Sequence, residues 1–164
     1  MIVGILSDTH DRVDAARAGI KRLREHGAEY LIHCGDVGSD QILDLLAGLP
    51  AAFVFGNTDW DRHGLQRYAR DLNITCLGPG GNLELGGKLF HIEHGDDPRT
   101  MRRALDGQTF DYLLHGHTHL QRDERVGKTR VINPGALHRA REKTVAVLDT
   151  QTDDLKFFVV SRAT

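Results

Sequence analysis

The first half of the chain alternates short apolar runs with amphipathic stretches. Ile2–Leu6 is a continuous apolar run, which is typical of a strand buried on both faces. Apolar positions on one stripe predict a helix over Val13–Glu25, and Ser39 precedes a second helical pattern. Residues 30–34 and 51–55 read as further strands. This strand–helix alternation predicts a parallel sheet, in which ligands bind beyond the carboxyl ends of the strands.

The second half carries paired strands instead. Gly86-Gly87 and Gly127-Lys128 are two-residue turn signals between apolar-alternating segments, and each predicts a hairpin. The segments that we expect to form strands are residues 82–85, 88–93, 112–115, 122–126, 129–132, 144–148 and 155–160, with a helix over residues 99–105. Together the halves predict an α/β fold with two sheets packed face to face and helices outside.

Length and charge narrow the classes of function. A chain of 164 residues is expected to form one domain over residues 1–164. Its net charge of -2 gives no basic field for duplex nucleic acid or anionic lipid, so direct binding to either is not expected. The first apolar run is too short for a signal or membrane segment, so we expect a cytoplasmic protein.

Polar segments with metal-binding side chains follow several of the predicted strands. They supply carboxylates, one amide and imidazoles, which are ligands for borderline divalent cations. These segments are Ser7-Asp8-Thr9-His10, Gly35-Asp36, Gly56-Asn57-Thr58-Asp59, His94-Gly95 and Gly116-His117-Thr118-His119. Their joint occurrence in order at strand ends predicts a metal site, whereas any one of them alone would not.

The spacing within these segments suggests how ions are shared. Asp8 and His10 are two residues apart, and in extended backbone both side chains project to the same side. The same reasoning applies to His117 and His119. Asp36 has two carboxylate oxygens and is therefore suited to bridge two ions.

The charge of such a site favours phosphate. Two divalent cations bring four positive charges, and Asp8 with Asp36 removes two, which leaves about two. A small phosphate ester or nucleotide-like molecule is the expected substrate, hydrolysed by in-line attack of a hydroxide that bridges both metals. Mixed nitrogen and oxygen ligands favour a transition metal over magnesium. Manganese is the first expectation, with iron, nickel, cobalt and zinc as alternatives.

The motifs resemble the signature of the calcineurin-like metallophosphoesterase superfamily, and the short chain resembles its small YfcE-type branch. The likeness runs from Ile2 to about Asp149 and includes Asn133-Pro134-Gly135. It implies a four-layer α-β-β-α sandwich with two central mixed β-sheets. It also implies two metal positions, the first held by Asp8, His10, Asp36 and His119 and the second by Asp36, Asn57, His94 and His117.

One departure from the family pattern concerns the proton donor. Many superfamily enzymes carry a histidine after the metal-binding asparagine, paired with an acidic residue, but this chain has Thr58 followed by Asp59. The resemblance still implies catalytic roles for Asn57, Asp59 and His94. Thr58 and His63 are candidate substrate contacts, and His63 is also a candidate stand-in acid; the favoured alternative for His63 is a position in an exposed loop.

The sequence allows alternative interpretations of Arg141, of the overall function and of the apolar residues near the C-terminus. Arg141 is either a phosphate contact or a solvated side chain. The leading interpretation is a phosphodiesterase rather than a phosphomonoesterase, because the usual acid is missing. The alternatives are a non-catalytic binding or scaffold module, similar to the retromer subunit with this fold, and a nuclease that works in an assembly. The apolar residues 157–160 either fill the core or pair chains in a homo-oligomer.

Overall fold

The computed structural model describes residues 1–162, and its strands form two mixed sheets. From edge to edge, the first sheet contains β11 (Asp154–Arg162), β10 (Glu142–Asp149), β1 (Ile2–Leu6), β2 (Tyr30–His33), β3 (Ala51–Phe53) and β4 (Thr75–Cys76). The second contains β5 (Gly80–Leu85), β6 (Lys88–Glu93), β7 (Tyr112–Leu114), β9 (Thr129–Pro134) and β8 (Gln121–Val126). The helices are α1 (Val13–Glu25), α2 (Asp40–Leu46), α3 (Arg62–Asp71) and α4 (Pro98–Asp106).

The core has two layers, which follow from the alternation of side chains along the strands. Val3 and Ile5 of β1 lie between the two sheets, where they share a buried cluster with Phe90 and Ile92 of β6. Leu6 belongs to the other cluster, between the first sheet and its helices, together with Leu23 and Phe53. The predicted arrangement of two mixed sheets flanked by helices is confirmed. Within the described residues, no helix combines the length and apolar character needed to span a membrane.

Parallel pairing brings the polar segments to one end of the molecule. In the first sheet β1, β2 and β3 are parallel neighbours, and in the second sheet β6, β7 and β9 are parallel. The carboxyl ends of parallel strands meet at the same edge, so the loops after these strands lie side by side. Backbone hydrogen bonds join two of these loops, from the Asp8 amide to the Gly35 carbonyl (3.0 Å) and from the His10 amide to the Asp36 carbonyl (2.9 Å).

The structure differs from the sequence prediction in three respects. Strands β2, β3 and β7 each end one or two residues earlier than expected, whereas β5, β9, β10 and β11 extend beyond the predicted segments. Helix α3 and the short edge strand β4 were not predicted. The C-terminal hairpin of β10 and β11 returns to the first sheet, where β10 pairs antiparallel with β1 from Ile2↔Asp149 onward.

Candidate metal centre

Asp8, His10 and His119 form the first group of potential ligands. The Nε2 atoms of His119 and His10 lie 3.1 Å and 3.9 Å from Asp8 Oδ1. Asp8 is fully buried, and its other oxygen accepts hydrogen bonds from Ser7 Oγ (2.6 Å) and the His117 amide (3.1 Å). Asp8 Oδ1 and His10 Nε2 have no hydrogen-bond partner although both atoms are buried. Buried polar atoms are normally paired, so these two orphaned atoms fit a bound cation.

Asp36 connects this group to a second one. Its Oδ2 lies 3.3 Å from His10 Nε2 and 3.3 Å from His94 Nε2. On the far side, Asn57 Oδ1 lies 3.1 Å from His94 Nε2 and 3.2 Å from His117 Nδ1. The structure therefore brings together all seven side chains that the sequence nominated as ligands, with Asp36 between the two groups.

The electrostatics of His94 and Asp36 also suit a cation. Burial by itself would lower the pKa of His94, but hydrogen bonds to Asp36 and to the Cys34 carbonyl (2.8 Å) raise it to about 9. Burial would raise the pKa of Asp36, but hydrogen bonds from His94 and the Thr58 amide bring it well below its usual range. Both shifts arise from the attraction between the Asp36 carboxylate and the adjacent imidazole, and a cation bound there would take the place of the imidazole proton.

The backbone at these ligands is not extended, which corrects one step of the sequence argument. The φ angles of Asp8, His10, Asp36, His117 and His119 are 53°, 43°, 55°, 66° and 59°. Non-glycine residues in this left-handed region cost on the order of 1–3 kcal/mol each and cluster at functional sites. The shared direction of each ligand pair therefore arises from tight left-handed turns.

Asp59 and Gly56 hold the loops in position. The buried Asp59 carboxylate accepts hydrogen bonds from the amides of Gly56 (2.8 Å), Gly38 (3.0 Å) and Val37 (3.2 Å), so it joins the loops that follow β2 and β3. Gly56 has no space for a side chain, because an added Cβ would overlap Asp36 Oδ1. Through these contacts Asp59 positions both loops, and the catalytic role that the family resemblance implies for it stays a prediction.

The predicted substrate contacts do not all lie at the centre. Thr58 does, since its amide donates to Asp36 Oδ1 (2.9 Å) and its Oγ1 is 3.4 Å from His10 Nδ1. His63 is exposed on α3 rather than in the loop that the alternative assumed. Arg141 is exposed just before β10, and within residues 1–162 neither it nor His63 makes a hydrogen bond, ion pair or ring contact with the nominated ligands.

Two residues at the centre escaped the sequence analysis. The ring of His138 lies 4.9 Å from that of His10, and Arg12 Nε donates to His138 Nδ1 (3.3 Å). Burial, followed by the nearby His10 and Arg12, lowers the pKa of His138 to about 4. The turn at Asn133-Pro134-Gly135 was the available signal, because it directs the following residues toward the same edge.

Comparisons with known proteins agree with this geometry. A family model for the calcineurin-like phosphoesterase superfamily domain matches residues 1–153. The chain is 30% identical to a phosphodiesterase of Methanocaldococcus jannaschii over 98% of its length and 99% of the relative's.

Solved structures lead to the same family. The structure of a novel archaeal phosphodiesterase superposes with a TM-score of 0.90 at 29% identity and covers 97% of this chain and 99% of that one. The phosphoesterase YfcE of E. coli shares the fold, with a TM-score of 0.67 at 19% identity over 98% of this chain and 100% of that one. Because the family model spans nearly the whole sequence, the chain belongs to the calcineurin-like phosphoesterase superfamily.

Proposed function

We propose that this protein is a metal-dependent phosphodiesterase that acts on small phosphate esters. The observation that carries the proposal is the convergence of two ligand groups on the shared carboxylate of Asp36. The relative from M. jannaschii, which carries the name phosphodiesterase and matches over nearly the full chain, supports the choice of diesters.

The family implies divalent metal ions, and the residues at the site fit them. Buried atoms of Asp8 and His10 that make no hydrogen bond in the described structure offer lone pairs to a cation. We assign one ion to Asp8, His10, Asp36 and His119 and a second to Asp36, Asn57, His94 and His117. Mixed nitrogen and oxygen ligands favour transition metals, and manganese is our first expectation.

The chain's own residues determine how the substrate is held. When bound, divalent ions supply Lewis acidity that polarises a phosphate ester and lowers the pKa of water. Asp8 and Asp36 leave about two positive charges uncompensated, and the site therefore attracts an anionic ester. Asp59 keeps the loops of Asp36 and Asn57 in register through its three backbone contacts.

Thr58 limits the leaving groups that we expect the protein to release. A threonine hydroxyl does not release a proton near neutral pH, and general acid catalysis is typically worth about 10²–10⁴-fold. We therefore expect activated aryl esters to be hydrolysed much faster than alkyl esters. Diesters with good leaving groups are the preferred substrates on this reasoning.

The direct test is hydrolysis by manganese-loaded protein. Bis(p-nitrophenyl) phosphate is expected to be cleaved faster than p-nitrophenyl phosphate, and Asp36→Asn is expected to reduce the rate by at least about 100-fold. His26→Gln is a matched control, because His26 stacks on Phe158 (3.8 Å between ring centroids) outside the ligand groups. Protein that binds both ions yet hydrolyses no aryl phosphate would contradict the proposal. A stable protein partner under those conditions would favour the binding module.

A further inference from the structure

Arg12 and His138 form a pair at the rim of the metal centre. Arg12 is the exposed N-cap residue of α1, and His138 lies half-buried in the loop after β9. Arg12 Nε is 3.3 Å from His138 Nδ1. An arginine can only donate hydrogen bonds, so Nδ1 must be the acceptor. The neutral His138 ring therefore carries its hydrogen on Nε2.

The pair adjoins the first ligand group. The ring centroid of His138 lies 4.9 Å from that of His10, which in turn lies 5.7 Å from that of His119. Thr58 Oγ1 also approaches His10, at 3.4 Å from Nδ1. Outside the nominated metal ligands, two polar elements thus adjoin His10, and the one with cationic character is the Arg12–His138 pair.

The chemistry of the pair matches a phosphate oxygen. A guanidinium offers several N–H donors in a planar fork, of which His138 uses only the one on Nε. An imidazole N–H beside it adds a further donor, and hydrogen bonds to charged oxygens are the stronger ones. Thr58 supplies neither an imidazole nor a cationic donor. The Arg12–His138 pair therefore provides the kind of donor that a histidine at position 58 would have supplied.

We propose that Arg12 and His138 bind a non-bridging oxygen of the substrate phosphate, through the Arg12 guanidinium and the Nε2–H of His138. This inference rests on the proposed function, because it concerns the phosphate that the metal centre would hold. It makes His138 a substrate-binding residue and Arg12 both a phosphate ligand and the group that fixes the His138 tautomer.

Two substitutions of His138 separate hydrogen bonding from packing. His138→Phe keeps an aromatic ring against His10 but removes both ring nitrogens. His138→Gln keeps a carbonyl that accepts from Arg12 and an amide that donates in place of Nε2–H. The probe is inorganic phosphate, titrated calorimetrically into manganese-loaded protein, with metal content and metal affinity measured in parallel.

The expected result is a loss of phosphate affinity without a loss of metal. His138→Phe is expected to weaken phosphate binding by about 10- to 100-fold, the range for one hydrogen bond to a charged group. His138→Gln should remain within about threefold of the unsubstituted protein. Arg12→Ala should resemble His138→Phe, whereas Arg17→Ala, which removes an exposed arginine further along α1, should have no effect.

Opposite outcomes would overturn the inference. If His138→Phe binds phosphate normally and His138→Gln does not, the ring acts through packing on His10. If His138→Phe loses manganese rather than phosphate, the residue supports a ligand and does not contact substrate. Failure of the proposed function is distinguishable, because the unsubstituted protein would then bind the ions without hydrolysing any aryl diester.

Discussion

Metal ions are expected to stabilise this protein strongly, and a single substitution should remove most of that stabilisation. Asp8 Oδ1 is buried with no hydrogen-bond partner and faces His119 Nε2 at 3.1 Å. Leaving a buried acceptor unsatisfied costs about 1–3 kcal/mol. A cation that binds there satisfies this atom in the folded state only.

The magnitude follows from mass action. An ion present at 100 times its dissociation constant adds about 2.7 kcal/mol to the free energy of unfolding. For chains of this size each kcal/mol raises Tm by about 2–4 °C, so one ion should raise it by about 5–10 °C. Asp8→Asn should lose most of this increment because it removes the carboxylate.

The same variant should be at least as stable as the parent when metal is absent. An asparagine oxygen can accept from Ser7 and the His117 amide, and its amide group can donate to His119 Nε2. We expect Asp8→Asn to gain up to about 1–3 kcal/mol in chelator, yet to be the less stable protein in manganese. Thermal unfolding in both buffers measures this crossover. Equal destabilisation of Asp8→Asn in both buffers would refute the reasoning.

Two further predictions concern the supporting structure. Gly56→Ala should abolish metal binding, because the added methyl group would overlap Asp36 Oδ1. Gly107→Ala is the control, since a methyl group there has ordinary contact distances from 3.5 Å and metal binding should be normal. Metal titration of both variants compares them. Arg130 donates a hydrogen bond to Asp123 and lowers the pKa of that carboxyl group. The interaction contributes up to about 1 kcal/mol to the free energy of unfolding. This contribution is fully present above a pH near 4, the pKa of an aspartate in the unfolded chain, and is lost as pH falls further. Denaturant unfolding of Arg130→Gln and the parent should show a stability gap at pH 6 that narrows toward pH 2.5; a constant gap would contradict this origin.

Much of the first sheet could be predicted from sequence because its pattern is local. The apolar run of β1 and the apolar stripe of α1 each lie within one short continuous segment, and their predicted bounds agree with the structure. The pairing of β10 with β1 is different, since it joins residues near opposite ends of the chain. No local pattern specifies such a contact, which is why the C-terminal hairpin was not assigned to this sheet.

The candidate site likewise contains residues that the sequence could predict and residues that it could not. Residue type and position after a strand were enough to nominate Asp36 and His119, because both features are visible in the sequence. The pairing of Arg12 with His138 depends on the approach of α1 to the loop after β9. That approach is a property of the packed fold, so neither residue stood out beforehand.

The left-handed backbone at the nominated ligands has a consequence for how mutagenesis is designed. Aspartate, asparagine and histidine adopt positive φ several times more often than other non-glycine residues. An alanine at Asp36 or His119 would therefore remove a ligand atom and also disturb the turn that presents its neighbours. Asparagine changes the donor atoms while keeping the local backbone preference. Alanine scanning would accordingly overstate each ligand's share of metal affinity, and an asparagine scan would isolate it.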